Sequence, residues 1–236
     1  ESLLRAGGQV VVTGRRAEVL ESLARDWPGK AFALPCDLAS PTERDGLLRR
    51  AAGLLGGLDG LVHSAGQVVH QPPGHIGEDA LRAQLEVNLV APLRLGEQAL
   101  EVLEPGGAMV FVASTLATRP VVTSAVYSAA KAGLLQVMKV LALAGAARSV
   151  RASAVLPGVV ETDMTREVRL APGEGTLPEP ERVRRQEAQL AGLRALHPLG
   201  RLGNPEDVAE AVRYLLGASW LTGSELVLDG GLLLRE

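Results

Sequence analysis

The chain has 236 residues, of which 47% are hydrophobic, and its formal net charge is −3 at pH 7. This mildly acidic balance gives no electrostatic case for binding nucleic acid or an anionic membrane. No apolar run approaches the roughly 20 residues of a membrane span, and no signal-peptide pattern opens the sequence. The single cysteine, Cys36, excludes an internal disulfide and a cysteine-based zinc cage. The sequence therefore predicts a cytoplasmic protein without a metal site.

Six short apolar runs alternate with longer stretches of helical pattern. The runs are continuously apolar, which is typical of strands buried on both faces of a sheet. Alternation with helices indicates a doubly wound, Rossmann-like α/β fold, in which helices cover both faces of a parallel sheet. No repeat or domain boundary is visible, so residues 1–236 are predicted to form a single domain. The predicted strands are 9–14, 31–37, 58–66, 107–114, 150–158 and 224–231, and the predicted helices are 17–26, 42–56, 78–103, 124–148 and 205–216.

Small and polar residues collect at the carboxyl ends of the predicted strands. In an open parallel sheet, ligands bind in the crevice beyond these ends. We therefore expect a binding site along one edge of the sheet. The residues at the strand ends are Gly14, Arg15, Arg16, Asp37, Leu38, Ser64, Ala65, Gly66, Ser114, Pro157 and Gly158.

A tyrosine and a lysine, Tyr127 and Lys131, lie four residues apart on one face of a predicted helix. The chain has only two tyrosines and three lysines against 21 arginines, so this spacing is uncommon by chance. Taken singly, Tyr127 could be a core tyrosine and Lys131 a solvated helix residue. Ser114 at the end of a predicted strand and Asn88 inside the preceding helix complete a set of four.

These four residues, with "VVVTGRR", "CDL", "HSAG", "VLPGVVETDM" and "LTGSELVLDGG", resemble the short-chain dehydrogenase/reductase family over almost the whole chain. The resemblance implies an oxidoreductase that interconverts a carbonyl and a secondary alcohol with a nicotinamide nucleotide. It assigns proton transfer to Tyr127, the nicotinamide ribose hydroxyls to Lys131 and the substrate oxygen to Ser114. Asn88 would anchor a water chain to the lysine, although it could merely cap or kink its helix.

Elementary electrostatics explains why a lysine is expected beside that tyrosine. A free phenol has a pKa near 10, about 3 units above neutrality, which corresponds to roughly 4 kcal/mol. One ammonium about 4 Å away supplies a similar energy at an effective dielectric constant near 20. We therefore expect Lys131 to lower the pKa of Tyr127.

Two arginines indicate which nucleotide is used. NAD-preferring members of the family carry an acid where this chain has Gly14, and a guanidinium fork suits a 2′-phosphate. We predict NADP(H), with Arg15 a better candidate than Arg16, while use of NAD(H) is left open. Alternatively, the two arginines simply begin a helix, and Asp37 serves only a turn. The cofactor-binding residues implied by the resemblance are Arg15, Arg16, Asp37, Leu38, Ser64, Ala65, Gly66, Tyr127, Lys131, Pro157, Gly158, Val160 and Thr162.

The sequence departs from the family pattern at its front. The family opens with a strand and a glycine-rich loop that presents backbone N–H groups to the pyrophosphate. The segment "ESLLRAGGQ" aligns with the end of the helix that follows this loop. The first strand and its loop are therefore expected to be missing from this sequence, with the gap falling mid-sheet. A smaller departure places His63 where an amide side chain is common, and His63 is interpreted as structural.

Residues 163–200 follow the "PG" motif and would form a mobile lid over the substrate, with 171–181 interpreted as an inserted loop. Val160, Met164, Leu170 and Leu196 suggest an apolar lining for a lipophilic ketone or alcohol. Three arginines, Arg182, Arg184 and Arg185, could attract an acidic substrate or carrier, although a solvated helix face is favoured.

The predicted helix 124–148 carries an apolar stripe of Leu134, Val137, Met138 and Leu141. Family members often pack this helix against a second copy, so a homodimer or homotetramer is expected. The substrate is expected to be a small carbonyl compound or alcohol, and 3-oxoacyl-carrier reductases are the commonest subtype. A second hypothesis is a non-catalytic, nucleotide-sensing relative. The intact set of four residues argues against it, and the missing glycine loop argues for it.

Overall fold

Six parallel strands form the framework of the computed structural model, which describes residues 1–168 and 174–235. Two of them pair in one sheet, and four form a second sheet in the order β3-β4-β5-β6. Helices cover both sides, so the predicted parallel α/β architecture is confirmed. The strands are β1 (Val10–Val12), β2 (Ala31–Ala33), β3 (Gly60–His63), β4 (Ala108–Val112), β5 (Arg151–Pro157) and β6 (Glu225–Leu228).

A cavity of about 1630 Å³ lies between β1 and β3. Residues of both strands line it, together with apolar side chains that include Leu48, Val208 and Val212. The strands therefore form two hydrogen-bonded sheets where one was predicted. The separation between β1 and β3 lies where the first strand of the family was expected to be missing.

The ten helices of the described residues flank these strands. Two of them, α3 and α4, replace one predicted helix at 42–56, because Asp45 is extended (ψ 130°) and Gly46 is left-handed (φ 60°). The helices are α1 (Ser2–Arg5), α2 (Ala17–Asp26), α3 (Pro41–Arg44), α4 (Leu47–Leu55), α5 (Glu78–Leu85), α6 (Ala91–Val102), α7 (Ala125–Gly145), α8 (Asp163–Arg166), α9 (Glu179–Ala195) and α10 (Pro205–Gly217).

The predicted helix 78–103 is continuous in path but changes its winding. A π-helical turn, Glu86–Val90, joins α5 to α6 and contains the fully buried Asn88. Such turns are rare, and they are frequent at functional sites. The chain therefore stays helical through this turn, and Asn88 is buried within it.

The long helix α7 packs against β5 and against α6. Ten of its residues are buried, including Leu134, Met138 and Leu141. Gly96 on α6 permits the close approach, because a Cβ at this position would lie 2.3 Å from Leu141 Cδ1. The sequence-based expectation that no segment reaches the length of a membrane span needs correction. The stretch Ala125–Arg148 is long and apolar enough by length and hydropathy, and 44% of its most apolar window is buried inside the protein.

The predicted lid at 163–200 contains more regular structure than the sequence suggested. Of the stretch interpreted as a loop, residues 171–173 lie outside the described residues, and residues 179–181 belong to α9, a 17-residue helix that begins at Glu179. The arginines of α9 form ion pairs with glutamates: Arg182 with Glu179, and Arg185 with Glu174 and Glu181. Arg184 also pairs with Glu181. These exposed pairs agree with the favoured interpretation of a solvated helix face.

Candidate active site

The tyrosine and lysine of α7 point to the carboxyl end of β4. The Lys131 side chain is only 2% exposed, and its Nζ donates a hydrogen bond to the carbonyl oxygen of Val112 at 2.8 Å. The same Nζ lies 5.6 Å from the centroid of the half-buried Tyr127 ring. The pair therefore shares one compartment beside the sheet, as the four-residue spacing predicted.

Ser114 joins this pair from the end of β4. It is 9% exposed, and its Oγ accepts a hydrogen bond from the Leu116 N–H at 3.1 Å. The Ser114 side chain also lies near enough to the Tyr127 hydroxyl to lower its pKa. The structure thus brings the predicted phenol, hydroxyl and ammonium together.

Asn88 supports the opposite wall. Its Nδ2 donates to the carbonyl oxygens of Gln67 (2.7 Å) and Gln84 (2.9 Å), and its Oδ1 accepts from the Gln67 N–H (3.2 Å). The two bonds with Gln67 hold the backbone after β3 against the π-helical turn. A Cβ at Gly66 would lie 3.2 Å from Asn88 Oδ1 and 3.7 Å from Lys131 Nζ, so a larger residue at that position would crowd both groups.

Burial controls the ionisation of the two central groups. Desolvation raises the pKa of Tyr127 above its usual value, and the nearby Ser114 side chain opposes this only in part. The net direction is thus opposite to the lowering that was expected from Lys131. Desolvation also lowers the pKa of Lys131 to about 8, so the amine remains mostly protonated at neutral pH.

His63, at the end of β3, is a second buried group near the lysine. It is 2% exposed, and its ring lies 6.4 Å from that of Phe111. Desolvation and the charge of Lys131 lower its pKa to about 3, so the ring is neutral at physiological pH. A neutral, packed ring agrees with the structural role inferred from the sequence.

The predicted cofactor-binding residues that follow β1 and β2 differ in their exposure to solvent. Arg15 and Arg16 are exposed just beyond β1, and Arg16 precedes the first residue of α2. Asp37 Oδ1 accepts a hydrogen bond from the Ala39 N–H at 3.0 Å, which is the turn role left open as an alternative. Leu38 is 8% exposed; it packs in the main core cluster and also lines the cavity between the two sheets.

Ser64 and Ala65 line the cavity between the two sheets. Across the described part of the chain, no group of three or more His, Cys, Asp or Glu side chains is placed to hold a metal ion.

The "PG" motif ends β5 and begins what we call the 158–162 loop. Pro157 is buried as the last residue of the strand. Gly158 is closely packed, because a Cβ there would lie 3.0 Å from both Asp229 Cα and His197 Nε2. Val160 forms an isolated bridge with Gly203.

The loop leads into α8 through a local hydrogen bond. Thr162 is the residue before α8, and its N–H donates to Thr165 Oγ1 at 2.9 Å. Met164 (44% exposed) and Leu196 (45% exposed) lie on the lid, whereas Leu170 lies outside the described residues.

Two histidine contacts near the site were not identified from the sequence. The His70 Nδ1 and Ser124 Oγ are 3.1 Å apart, which ties the backbone after β3 to the start of α7. His197 contacts the 158–162 loop. Ser124 stands three residues before Tyr127, and this was the only local signal; neither histidine shares a motif with its partner.

Comparisons with known proteins agree with this geometry. A family profile described as Enoyl-(Acyl carrier protein) reductase matches residues 1–233. Carbonyl reductase family member 4 of Xenopus tropicalis is 33% identical over 229 residues, which is 96% of this chain and 88% of the relative. A cis-4-hydroxycyclohexanecarboxylate dehydrogenase of Sinomonas cyclohexanicum is also 33% identical, over 97% of this chain and 88% of the relative.

A short-chain dehydrogenase/reductase from Serratia marcescens superimposes with a TM-score of 0.84 at 29% identity, covering 98% of this chain and 90% of that one. Sequence, fold and site thus lead to one assignment. The chain belongs to the short-chain dehydrogenase/reductase family, whose members generally bind NAD(P)(H), and it is an oxidoreductase acting on CH–OH groups and the corresponding carbonyls.

Proposed function

We propose that this chain is an NADP(H)-dependent ketone reductase in which Tyr127 transfers the proton. The observation that carries the proposal is the Tyr127 ring 5.6 Å from the buried Lys131 ammonium, with Ser114 near the same hydroxyl. A proton donor, a second hydroxyl and a cation at the carboxyl end of a central strand suit carbonyl reduction.

The residues divide the chemistry as follows. The Ser114 hydroxyl hydrogen-bonds the substrate oxygen and orients it toward Tyr127, which donates its proton to that oxygen. Because an ammonium has three N–H donors and Val112 accepts from one, Lys131 has capacity to bind ribose hydroxyls as well. When bound, the nicotinamide supplies the hydride for reduction. In the reverse direction the phenolate of Tyr127 takes the proton from the alcohol.

The preference for NADP(H) rests on the charge beyond β1. Arg15 and Arg16 are exposed, and neither takes part in an ion pair with another described residue. A guanidinium that is not already paired can accept a 2′-phosphate as a bidentate partner. An acid that would favour NAD is absent from the end of β1, where the residue is Gly14.

The substrate is proposed to be a lipophilic ketone, with a 3-oxoacyl thioester on a carrier as the first candidate. Val160 is half-buried, and Met164 and Leu196 expose apolar side chains on the lid. Relatives with related names support the choice: a human 3-oxoacyl-[acyl-carrier-protein] reductase is 29% identical over 98% of this chain.

A homodimer or homotetramer, located in the cytoplasm, is proposed as the working form. The predicted stripe of Leu134, Val137, Met138 and Leu141 packs in the core, so it does not form an outer face of α7. Val140 (62% exposed) and Leu143 (80% exposed) form the apolar outer face suited to a second copy instead. Trp220 is fully exposed and Tyr214 is 59% exposed, so both aromatic side chains are available for a contact between subunits. Light scattering of the purified protein gives the assembly mass directly.

The decisive experiment combines a fluorescence titration with NADPH and an assay of NADPH consumption against a panel of ketones that includes a 3-oxoacyl thioester. Saturable binding with turnover of at least one ketone supports the proposal. Saturable binding without turnover on any panel member would instead favour a nucleotide-sensing protein. Turnover with NADH at the same efficiency as with NADPH would contradict the cofactor preference.

A further inference from the structure

A buried histidine connects the lid to the 158–162 loop. His197 follows α9 and is 3% exposed. Its Nδ1 lies 2.8 Å from the carbonyl oxygen of Leu193, and its Nε2 accepts a hydrogen bond from the Val159 N–H at 3.2 Å. A carbonyl oxygen only accepts and a backbone N–H only donates, so the neutral ring with its hydrogen on Nδ1 satisfies both contacts.

Two glutamines extend the same connection along α9. Gln186 Nε2 donates to the Arg166 carbonyl oxygen at 2.6 Å, and Gln189 Nε2 donates to that of Thr165 at 3.0 Å. Positions 186, 189, 193 and 197 are spaced three or four apart, so they follow one helix face. This face therefore holds both α8 and the 158–162 loop by hydrogen bonds from side chains.

The loop has little freedom to move independently of His197. Gly158 lies between the ring and the turn after β6, because a Cβ there would approach both His197 Nε2 and Asp229 Cα to 3.0 Å. The Gly158 N–H donates to the Leu228 carbonyl oxygen at 2.9 Å, and the Val159 carbonyl oxygen accepts from Gly203 at 2.9 Å. The loop therefore meets the lid at two places: the Val159 N–H bonds the His197 ring, and the Val160 carbonyl oxygen accepts from Thr165 Oγ1 of α8 at 2.9 Å.

We propose that His197 is a positioning residue that joins the substrate lid to the nucleotide-binding loop. Through the ring, the position of α9 sets the position of the Val159 backbone, so the lid and the nicotinamide end of the site move together. The inference rests on the proposed function in one respect, namely that residues 158–162 bind the nucleotide. The bridge itself depends only on the contacts of His197.

Three substitutions separate the bridge from simple packing. His197→Phe keeps a planar ring and removes both nitrogens. His197→Gln keeps an acceptor at the position of Nε2, and His197→Asn keeps a polar group only at the position of Nδ1. Glu187→Ala, an exposed side chain of the same helix, is the matched control.

The first measurement is hydrogen–deuterium exchange at the Val159 amide without nucleotide. We expect exchange to be about tenfold faster in H197F and H197N, the factor given by loss of one hydrogen bond. H197Q and E187A should stay close to the wild type. The bridge would be overturned if exchange were equal in the wild type and all four variants, or if H197Q and H197N accelerated it equally. If H197F does not fold, the comparison of H197Q with H197N still decides.

The second measurement compares the effect of each variant on the KM for NADPH with its effect on kcat. We expect H197F and H197N to raise this KM about tenfold at nearly constant kcat, with H197Q restoring it. Loss of kcat at an unchanged KM would overturn the coupling to the nucleotide loop. If the wild type binds no NADPH, the proposed function fails, and the exchange experiment still tests the bridge.

Discussion

The four-stranded and the two-stranded sides of the molecule handle polar groups in opposite ways. On the four-stranded side, β4 and β5 are buried almost throughout, and Lys131 and Asn88 are enclosed with specific hydrogen-bond partners. On the two-stranded side, β1 is only half-buried, and Arg15 and Arg16 stand in solvent. Under the proposed function, proton transfer would take place where burial shifts pKa values, and the 2′-phosphate would bind where the charges of the protein stay hydrated.

The largest effect is expected from Tyr127→Phe, which removes the proton donor from the buried side. We expect kcat to fall by about 10²–10⁴, the usual contribution of a positioned acid, while NADPH binding stays nearly unchanged. The other tyrosine provides the control, since Tyr214→Phe alters a largely exposed ring. Wild-type turnover by Y127F would show that proton transfer lies elsewhere.

Lys131→Met tests how much free energy it costs to bury the Lys131 ammonium on the four-stranded side. The folded pKa of about 8 is below the ordinary 10.5, so burial disfavours the charged form by roughly 3 kcal/mol at neutral pH. The variant should lose activity and gain about this much in the free energy of unfolding, measured by urea denaturation.

The gain from Lys131→Met should shrink as pH rises from 8 toward 10.5, because the unfolded wild type then binds more protons than the folded protein. Lys139→Met, on the exposed side of the same helix, should change stability little. A K131M protein less stable than the wild type would contradict the desolvation argument.

His63 makes the free energy of unfolding depend on pH in the acidic range. Its folded pKa of about 3 is below the ordinary 6.5, so the unfolded state binds the extra proton between these values. Stability is therefore full above pH 6.5 and falls as pH decreases, by roughly 2 kcal/mol between pH 6.5 and 5. His63→Asn should remove this component, measured as the difference between the two unfolding curves at each pH. Parallel curves for both proteins would show that His63 does not titrate on unfolding.

The smallest effect is expected on the two-stranded side, where Arg15 and Arg16 are exposed. Replacing Arg15 and Arg16 by alanine should raise the KM for NADPH about tenfold, because a charge-assisted contact with the 2′-phosphate is lost while solvent still screens the site. The KM for NADH should change much less. Lys30→Ala removes one positive charge next to β2, at the end of the strand away from the carboxyl edge, and should leave both values unchanged. Equal losses with both nucleotides would place the arginines outside the 2′-phosphate site.

Much of the fold was readable from local pattern. The helix 17–26 was predicted to the residue, and Asn204 and Pro205 marked the start of α10. Polar composition hid α9, because a helix rich in Glu, Arg and Gln has no continuous apolar stripe, and the Pro/Gly-rich residues before it suggested a loop. The break at Gly46 and the π-turn around Asn88 were also missed, since backbone winding depends on packing that the sequence period does not report.

The sequence by itself determined the alternation of strands and helices and the placement of Tyr127 and Lys131 on one helix face, because these follow from residue type and spacing. The addition of Asn88 and Ser114 to this pair followed from the family resemblance. Only the tertiary structure decided how the groups ionise: enclosure raises the pKa of Tyr127 and lowers those of Lys131 and His63. It also decided that His197 meets Val159, 38 residues away. Desolvation and long-range contacts depend on how the elements pack together, and no local pattern of residues carries that information.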